Sequence, residues 1–152
     1  MFRGTSAITL DSKNRITIPT KYRDELLTDC QGKMICTVDI QHACLLLYPL
    51  PEWEEIELTL ANLSSTNPQE RLFKQIILGN ASDCVMDKNG RLLINGPLRK
   101  HANLDKDIML VGQLNKFEIW HESAWQAQMQ QGISKIQSGE IELTERLLDL
   151  SL

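Results

Sequence analysis

Two pairs of cationic side chains stand in short polar segments, Lys13 with Arg15 in the first half of the chain and Lys88 with Arg91 in the second. The arginine guanidinium presents its donors in a planar fork, which suits bidentate hydrogen bonding to a carboxylate, a phosphate or the edge of a base. The lysine ammonium is a compact charge that suits a phosphate. Both segments are therefore candidates for binding an anionic partner, provided that the fold holds them in defined positions.

Both segments are predicted to be tight turns. In each, an aspartate precedes the arginine by four residues, and the residue just before the arginine is of a type that tolerates positive φ. The aspartate can accept hydrogen bonds from the backbone ahead of it, and a left-handed residue fits a short hairpin turn. We assign the structuring of the turns to four residues: Asp11, Asn14, Asp87 and Gly90.

Alternating residue types on either side of the first turn predict two strands. Ile8 and Leu10 share one side of the first strand, and Ile16 and Ile18 share one side of the second. Arg15 falls on the opposite side. We therefore expect a hairpin that buries its isoleucines and presents Arg15 to a partner.

The pattern around this turn occurs twice in the chain. A hairpin, a short helix, a second hairpin and a longer helix follow in the same order in each half, and four residues recur at a constant offset. The recurring pairs are Asp11 with Asp87, Arg15 with Arg91, Ile18 with Ile94, and Arg23 with Arg99. Each half is small for an independent domain, so we expect the two to pack as a pseudo-symmetric pair.

Three further helices are predicted from apolar spacing and capping residues. Trp53, Ile56 and Leu60 recur at helical spacing, and Asn67-Pro68 begins a second helix that ends near Gly79. An amphipathic C-terminal stretch, 140–150, carries leucines at helical spacing and can dock on its own chain or on a neighbour.

Composition and charge limit the class of protein. The 152 residues have a net charge of −4, which argues against a protein that coats nucleic acid indiscriminately but leaves room for a local basic patch. Residues 1–23 hold five basic residues and one acidic residue, whereas acidic residues are concentrated elsewhere in the chain.

The chain has neither an apolar run long enough to span a bilayer nor a signal-peptide pattern, so we expect a cytoplasmic protein. The cysteines lack disulfide-type spacing and are interpreted as reduced thiols.

Several cysteine, histidine and aspartate side chains are candidates for a metal or acid–base site. Cys36, His42 and Cys44 can converge in a hairpin, but their spacing misses the usual zinc pattern, which favours core packing of the cysteines. The pairs Asp39 with His42 and His101 with Asp105 lack a nucleophile and a pocket, and the sequence contains none of the common phosphate-loop or hydrolase motifs. No cofactor, metal or small-molecule ligand is therefore predicted, and we expect no enzymatic activity.

Two further side-chain types have open interpretations. The tryptophans Trp53, Trp120 and Trp125 can stack on bases, although core or interface positions are favoured by their aliphatic surroundings. An isolated Asp11–Arg15 pair is most simply a surface ion pair of little energetic consequence. The repetition of the cationic turn favours DNA binding instead. A β-ribbon fits the major groove, where arginine can bind guanine and lysine can contact phosphate.

These features together resemble the bacterial MraZ family. The resemblance rests on the tandem D-x-x-x-R turns, each with its strand–turn–strand setting, and on the segment 44–53, CLLLYPLPEW, and it covers essentially the whole chain. It implies an α+β, β-rich fold in which two SpoVT-AbrB-like units form a swapped-hairpin β-barrel with peripheral helices. It further implies homo-oligomeric rings and a nucleoid-associated transcription regulator of the division and cell-wall gene cluster, including its own gene.

The expected organisation and site follow from the repeats and the resemblance. The expected boundaries are a first repeat at 1–53, linking helices at 54–80, a second repeat at 81–126 and a helical tail at 127–152. The expected DNA-binding residues are Arg15, Lys13, Arg3, Lys21, Arg91 and Lys88. The strand-to-helix junction differs between the halves, because Ile18-Pro19 is replaced by the longer 94–97 segment, so the two halves need not contact DNA equally. The first repeat is expected to dominate because it carries the denser set of basic residues.

The leading functional hypothesis is a sequence-specific repressor that binds double-stranded DNA. A single small module contacts little DNA, so useful affinity requires several modules bound at once to direct repeats, which favours a closed oligomer. The alternative hypothesis is a protein-interaction scaffold of the AbrB/antitoxin type. A third hypothesis, which the sequence favours least, is a metal-dependent or redox enzyme.

Overall fold

A computed structural model describes all residues, 1–152, in two compact units, Met1–Glu122 and Ser123–Leu152. The strands are β1 (Thr5–Thr9), β2 (Arg15–Thr17), β3 (Lys33–Val38), β4 (Leu45–Pro49), β5 (Ser82–Val85), β6 (Arg91–Leu93), β7 (Asp107–Gly112) and β8 (Phe117–His121). The helices are α1 (Thr20–Cys30), α2 (Leu50–Ala61), α3 (Pro68–Gly79), α4 (Gly96–His101), α5 (Glu122–Gln137) and α6 (Glu145–Leu148). The α+β class and the repeated order of elements are as predicted. None of the helices combines the length and the apolar character that a membrane crossing requires.

The strands of the two halves are interleaved in one sheet. Its order is β1-β7-β8-β4-β3-β5, and a separate two-stranded ladder joins β2 to β6. Exchanging β1 with β5, β3 with β7 and β4 with β8 reproduces the same order in reverse, which is the arrangement expected of a pseudo-two-fold pair. Each half therefore donates its first strand to a neighbour in the other half.

The predicted pairing within the two turn-containing hairpins is wrong. β1 pairs with β7 from Thr5 opposite Val111 to Thr9 opposite Asp107, and β2 pairs with β6. The turn between β1 and β2 does form, since the Asp11 N–H donates to the Arg15 carbonyl over 2.9 Å, but the strands then diverge to partners in the other half. Alternation along a strand identifies its buried side, whereas its partner depends on contacts distant in sequence.

The implied barrel is not confirmed. The six-stranded sheet has two edge strands, β1 and β5, and neither strand of the β2–β6 ladder pairs with them. The second predicted hairpin, by contrast, is confirmed, because β3 and β4 pair from Met34 opposite Pro49 to Val38 opposite Leu45.

The main core lies beneath the β2–β6 ladder. Ile16, Ile18, Leu92 and Ile94 are fully buried there, and Ile8 and Leu10 pack against the same cluster. The predicted sidedness of both strands is therefore confirmed. A second core forms under α2 and α3 around Tyr48, Trp53 and Leu60. Trp53 and Trp120 are buried, as their aliphatic surroundings indicated.

The segment Ser123–Leu152 contains most of α5 and all of α6. Neither helix contains a buried residue. The amphipathic stretch predicted at 140–150 is helical only over Glu145–Leu148, where the Thr144 hydroxyl caps the first turn by accepting from the Leu147 N–H. Its leucines, including Leu147 and Leu150, are exposed.

The start of α3 is held by a side-chain cap. The Asn67 Oδ1 accepts hydrogen bonds from the Gln69 and Glu70 N–H groups, each over 3.0 Å, and Pro68 occupies the first turn. Glu70 accepts from the Ser64 N–H instead of completing a capping box with Asn67.

We expect Asn67→Ala to lower the free energy of unfolding by about 1 kcal/mol, because two helical N–H groups lose their acceptor. Urea denaturation followed by circular dichroism measures this, and Asn67→Asp, which keeps the acceptor, is the control; equal losses in both variants would contradict the capping role.

Candidate nucleic-acid interface

Turn 1, residues 11–15, is organised by the carboxylate of Asp11. Its Oδ1 accepts from the Lys13 and Arg15 N–H groups, each over 2.9 Å, and its Oδ2 accepts from the Arg15 Nε over 2.9 Å. Asn14, with φ of 64°, supplies the left-handed residue, and its N–H donates to the Asp11 carbonyl over 3.0 Å. One aspartate thus fixes both the backbone of the turn and the direction of the Arg15 side chain.

Turn 2, residues 87–91, repeats this geometry. The Asp87 Oδ1 accepts from the Asn89 N–H over 2.8 Å and from the Arg91 N–H over 2.9 Å, while Oδ2 accepts from the Arg91 Nε over 3.1 Å. Gly90 takes the left-handed position with φ of 78°. In each turn, the aspartate accepts the backbone hydrogen bonds and the residue before the arginine is left-handed.

The same hydrogen bonds lower the pKa of both aspartates. The main cause for Asp11 is the hydrogen bond from the Arg15 backbone N–H, and for Asp87 that from the Arg91 backbone N–H. A depressed carboxyl pKa stabilises the folded state above the ordinary value of 3.8, and that contribution is lost as the pH falls through the lower folded value. Both carboxyl groups therefore stay ionised, and able to accept these hydrogen bonds, in the neutral range.

The β2–β6 ladder brings both arginines to one surface. Arg15 lies opposite Leu93 and Thr17 lies opposite Arg91, while Ile16 and Leu92 point into the core. We call the outward side of this ladder, Arg15, Thr17, Arg91 and Leu93, the ladder face. Because the strands are antiparallel, turn 1 and turn 2 stand at opposite ends of it. The sequence pattern predicted both turns but did not predict that they share a surface.

The other four predicted DNA-binding residues, Lys13, Lys88, Arg3 and Lys21, lie outside the ladder face. Lys13 and Lys88 are exposed in turn 1 and turn 2, one position out of register with each other. Arg3 and Lys21 each contact Tyr22. The Arg3 carbonyl accepts a hydrogen bond from the Tyr22 hydroxyl over 2.6 Å, and the Lys21 Nζ lies 4.9 Å from the centre of the Tyr22 ring. No hydrogen bond or ion pair joins Arg3 or Lys21 to either turn.

Two arginines that were not predicted as site residues support the ends of the ladder. The Arg23 Nε donates to the Ile18 carbonyl over 2.8 Å, and the Arg99 Nη1 donates to the Ile94 carbonyl. Their recurrence at the constant offset of the repeat is the sequence signal that could have identified them.

The residues weighed for metal or acid–base chemistry are not assembled into a site. Cys36 and Cys44 are fully buried, and burial raises the pKa of the Cys44 thiol. His42 is exposed, with its ring centre 5.6 Å from that of Trp120. The Asp39 Oδ1 accepts from the Gln41 N–H, and His101 contacts the Asp39 carbonyl rather than Asp105. No group of three potential ligands is placed to hold a metal ion.

Comparison with known families identifies the repeat. A family model described as "MraZ protein, putative antitoxin-like" matches residues 1–76 and again residues 77–149. The chain belongs to the MraZ family. The boundary between the two matches, at residues 76 and 77, lies near the C-terminal end of α3.

Relatives in the MraZ family match the chain from end to end. The chain is 86% identical to the transcriptional regulator MraZ of Colwellia psychrerythraea, 63% identical to that of Pseudoalteromonas atlantica and 56% identical to that of Escherichia coli O127:H6. Each match covers all 152 residues and the full length of the relative. The family is one of transcriptional regulators and not of enzymes, in agreement with the sequence-based prediction.

Proposed function

We propose that this protein is a sequence-specific repressor that binds double-stranded DNA through the ladder face. The observation that carries the proposal is the pairing of β2 with β6, which puts Arg15 and Arg91 on one outward surface, each oriented by its own aspartate. A two-stranded β-ribbon with cationic side chains on its outer side has the size and charge of a major-groove reader.

The hydrogen bonds within the turns leave the arginines able to read bases. Only the Nε of Arg15 donates to Asp11, so its two terminal nitrogens have no acceptor within the protein. They can donate together to the O6 and N7 atoms of a guanine. The Asp11–Arg15 ion pair and a DNA-reading role are therefore compatible, because the pair orients the guanidinium that meets the base.

Other exposed residues in or near the ladder face can contact thymine methyl groups or DNA phosphates. Leu93 is 58% exposed and Thr17 carries a methyl group, so both suit the methyl group of thymine. Lys13, Lys88, Arg3 and Lys21 supply charge for phosphates, which fixes the orientation of the protein without reading sequence.

The acidic chain and the small interface favour binding in several copies. We infer a ring-shaped homo-oligomer that engages direct repeats, because linked modules raise the local concentration of each other on DNA. The proposed targets are the promoter of its own gene and the division and cell-wall gene cluster, and the proposed place of action is the cytoplasm, at the nucleoid. The family name of the relatives supports regulation of transcription, and the finer assignments rest on the resemblance.

An antitoxin-type scaffold remains a second candidate. It is favoured by the antitoxin-like description of the family model and by the exposure of Leu72 and Phe73 on α3, which offers an apolar surface to a protein partner. In that function the ladder face would not be needed for binding.

Fluorescence anisotropy with labelled duplex separates the two candidates. The duplex carries the direct repeats upstream of the protein's own gene, and a shuffled duplex of the same composition is the control. Four phosphate contacts per subunit predict that log K falls with log salt concentration with a slope of roughly −3.6 per bound subunit. Sedimentation of the same complexes reports the number of copies bound. Equal affinity for both duplexes, or binding that is insensitive to salt, would contradict the proposal.

A further inference from the structure

Arg23 lies on α1 of the first half but contacts turn 2 of the second half. Its Nε donates to the Ile18 carbonyl over 2.8 Å, and the Ile18 N–H in turn donates to the Gly90 carbonyl over 2.7 Å. Arg23 therefore stands at the junction where the end of β2 meets the turn that precedes β6.

The side chain of Arg23 packs directly against the Cα of Gly90. A Cβ atom placed on Gly90 would overlap the Arg23 Nε and would lie 2.7 Å from its Cζ and 2.9 Å from its Cδ. Gly90 is thus favoured for two separate reasons: its φ of 78° lies in the left-handed region, and a side chain there would have to displace the Arg23 guanidinium.

The equivalent junction of the other half is built differently. The Ile94 N–H donates to the Asn14 carbonyl over 3.0 Å, which reproduces the backbone contact, but position 14 carries a side chain. There the arginine of α4, Arg99, donates through Nη1 instead of Nε. The close contact of a guanidinium with a turn glycine is therefore specific to turn 2.

We propose that Arg23 is a positioning residue for turn 2, acting across the two halves to hold Gly90 and, through it, Arg91. This inference rests on the proposed DNA-binding function of the ladder face. Arg23 holds the turn by packing and by its hydrogen bond to Ile18, so its charge is secondary. The first half, through α1, thereby sets the position of the DNA-contacting side chain of the second half.

The first test is the dependence of the Arg23 effect on Arg91. We expect Arg23→Met to weaken binding of the direct-repeat duplex about fivefold to tenfold, and by no more than Arg91→Ala does, because a positioning residue acts only through the group it positions. The loss should disappear when Arg91→Ala is already present and should persist in full in the Arg15→Ala background. Arg23→Lys keeps the charge but lacks the planar group, and we expect it to bind as weakly as Arg23→Met.

The second test uses the space at Gly90 and needs no DNA. Asparagine tolerates the left-handed conformation, as Asn14 shows in turn 1, so Gly90→Asn isolates the steric contact. We expect Gly90→Asn to speed amide hydrogen exchange at residues 87–91 at least tenfold in the protein that retains Arg23. In the Arg23→Ala background the same substitution should change exchange little, because the space is vacated. Asn14→Gly, at the equivalent position, is the matched control and should leave residues 87–91 unchanged.

The outcomes separate this inference from the function on which it rests. If Arg15→Ala weakens binding while Arg23→Met or Arg23→Lys binds like the wild type, the positioning role is wrong and the DNA-binding function stands. Additive losses from Arg23→Met and Arg91→Ala would show a direct contact of Arg23 with DNA and would likewise overturn it. If Arg15→Ala has no effect on DNA binding, the proposed function fails, and a Gly90→Asn effect that persists without Arg23 would separately overturn the steric contact.

Discussion

Arg15→Ala is expected to lower affinity for the direct-repeat duplex by about 1–3 kcal/mol per bound subunit, which is a factor of about 5 to 150. The reason is geometric: the Asp11 carboxylate holds the Nε of Arg15, and the outward position of Arg15 on the ladder face directs its terminal nitrogens away from the core. Affinity for the shuffled duplex should fall much less, since base contacts carry the specificity. Fluorescence anisotropy with both duplexes measures the two losses at one salt concentration.

Arg71→Ala is a matched control for this experiment. Arg71 is an exposed arginine on α3 with no side-chain hydrogen bond or ion pair, so its loss changes the net charge equally without touching the ladder face. We expect it to bind DNA like the wild type. An Arg15→Ala protein that is folded and binds the direct repeats as tightly as Arg71→Ala would show that the Asp11–Arg15 pair is a surface ion pair only.

The sequence predicted the parts of this site that depend on local interactions. The aspartate, the left-handed residue and the arginine of each turn are within five residues of one another, and their hydrogen bonds follow from that spacing. The burial of Ile16 and the exposure of Thr17 follow from alternation. These predictions needed no knowledge of the partner strand.

The parts that were missed depend on contacts between distant residues. Nothing near Arg15 in the sequence indicates that its strand pairs with the strand of Arg91, because a cross-strand partner is selected by the whole sheet. The hairpin prediction was wrong for the same reason: a turn brings two strands close, but β1 forms a full ladder with β7 instead. The contact of Arg23 with Gly90 also joins two halves of the chain, and the repeat offset alone could not reveal it.

Aromatic packing between the halves is the second missed feature, and its loss should have the largest effect on stability. Phe117 is fully buried in β8, which pairs with both β7 and β4. Its ring stacks on that of Phe2 with centres 4.3 Å apart and meets the edge of Tyr22 at 5.0 Å. The cluster thus joins the N-terminus and α1 of the first half to the central strand of the second.

Phe117→Ala is expected to lower the free energy of unfolding by about 3–5 kcal/mol, because it removes the buried ring and leaves a cavity that the central strands cannot close. That is a large part of the roughly 5–15 kcal/mol that stabilises a typical domain. Urea denaturation followed by circular dichroism measures the loss at a fixed protein concentration. Phe73→Ala is the matched control, since Phe73 is 45% exposed on α3 and its truncation should cost about 1 kcal/mol or less. Equal losses in the two variants would show that the aromatic cluster does not hold the halves together. We also expect Phe117→Ala, but not Phe73→Ala, to speed amide hydrogen exchange in turn 2. The reason is that the Phe117 ring packs on Tyr22, which lies beside Arg23 on α1. The stability of the core and the order of the ladder face should therefore decline together.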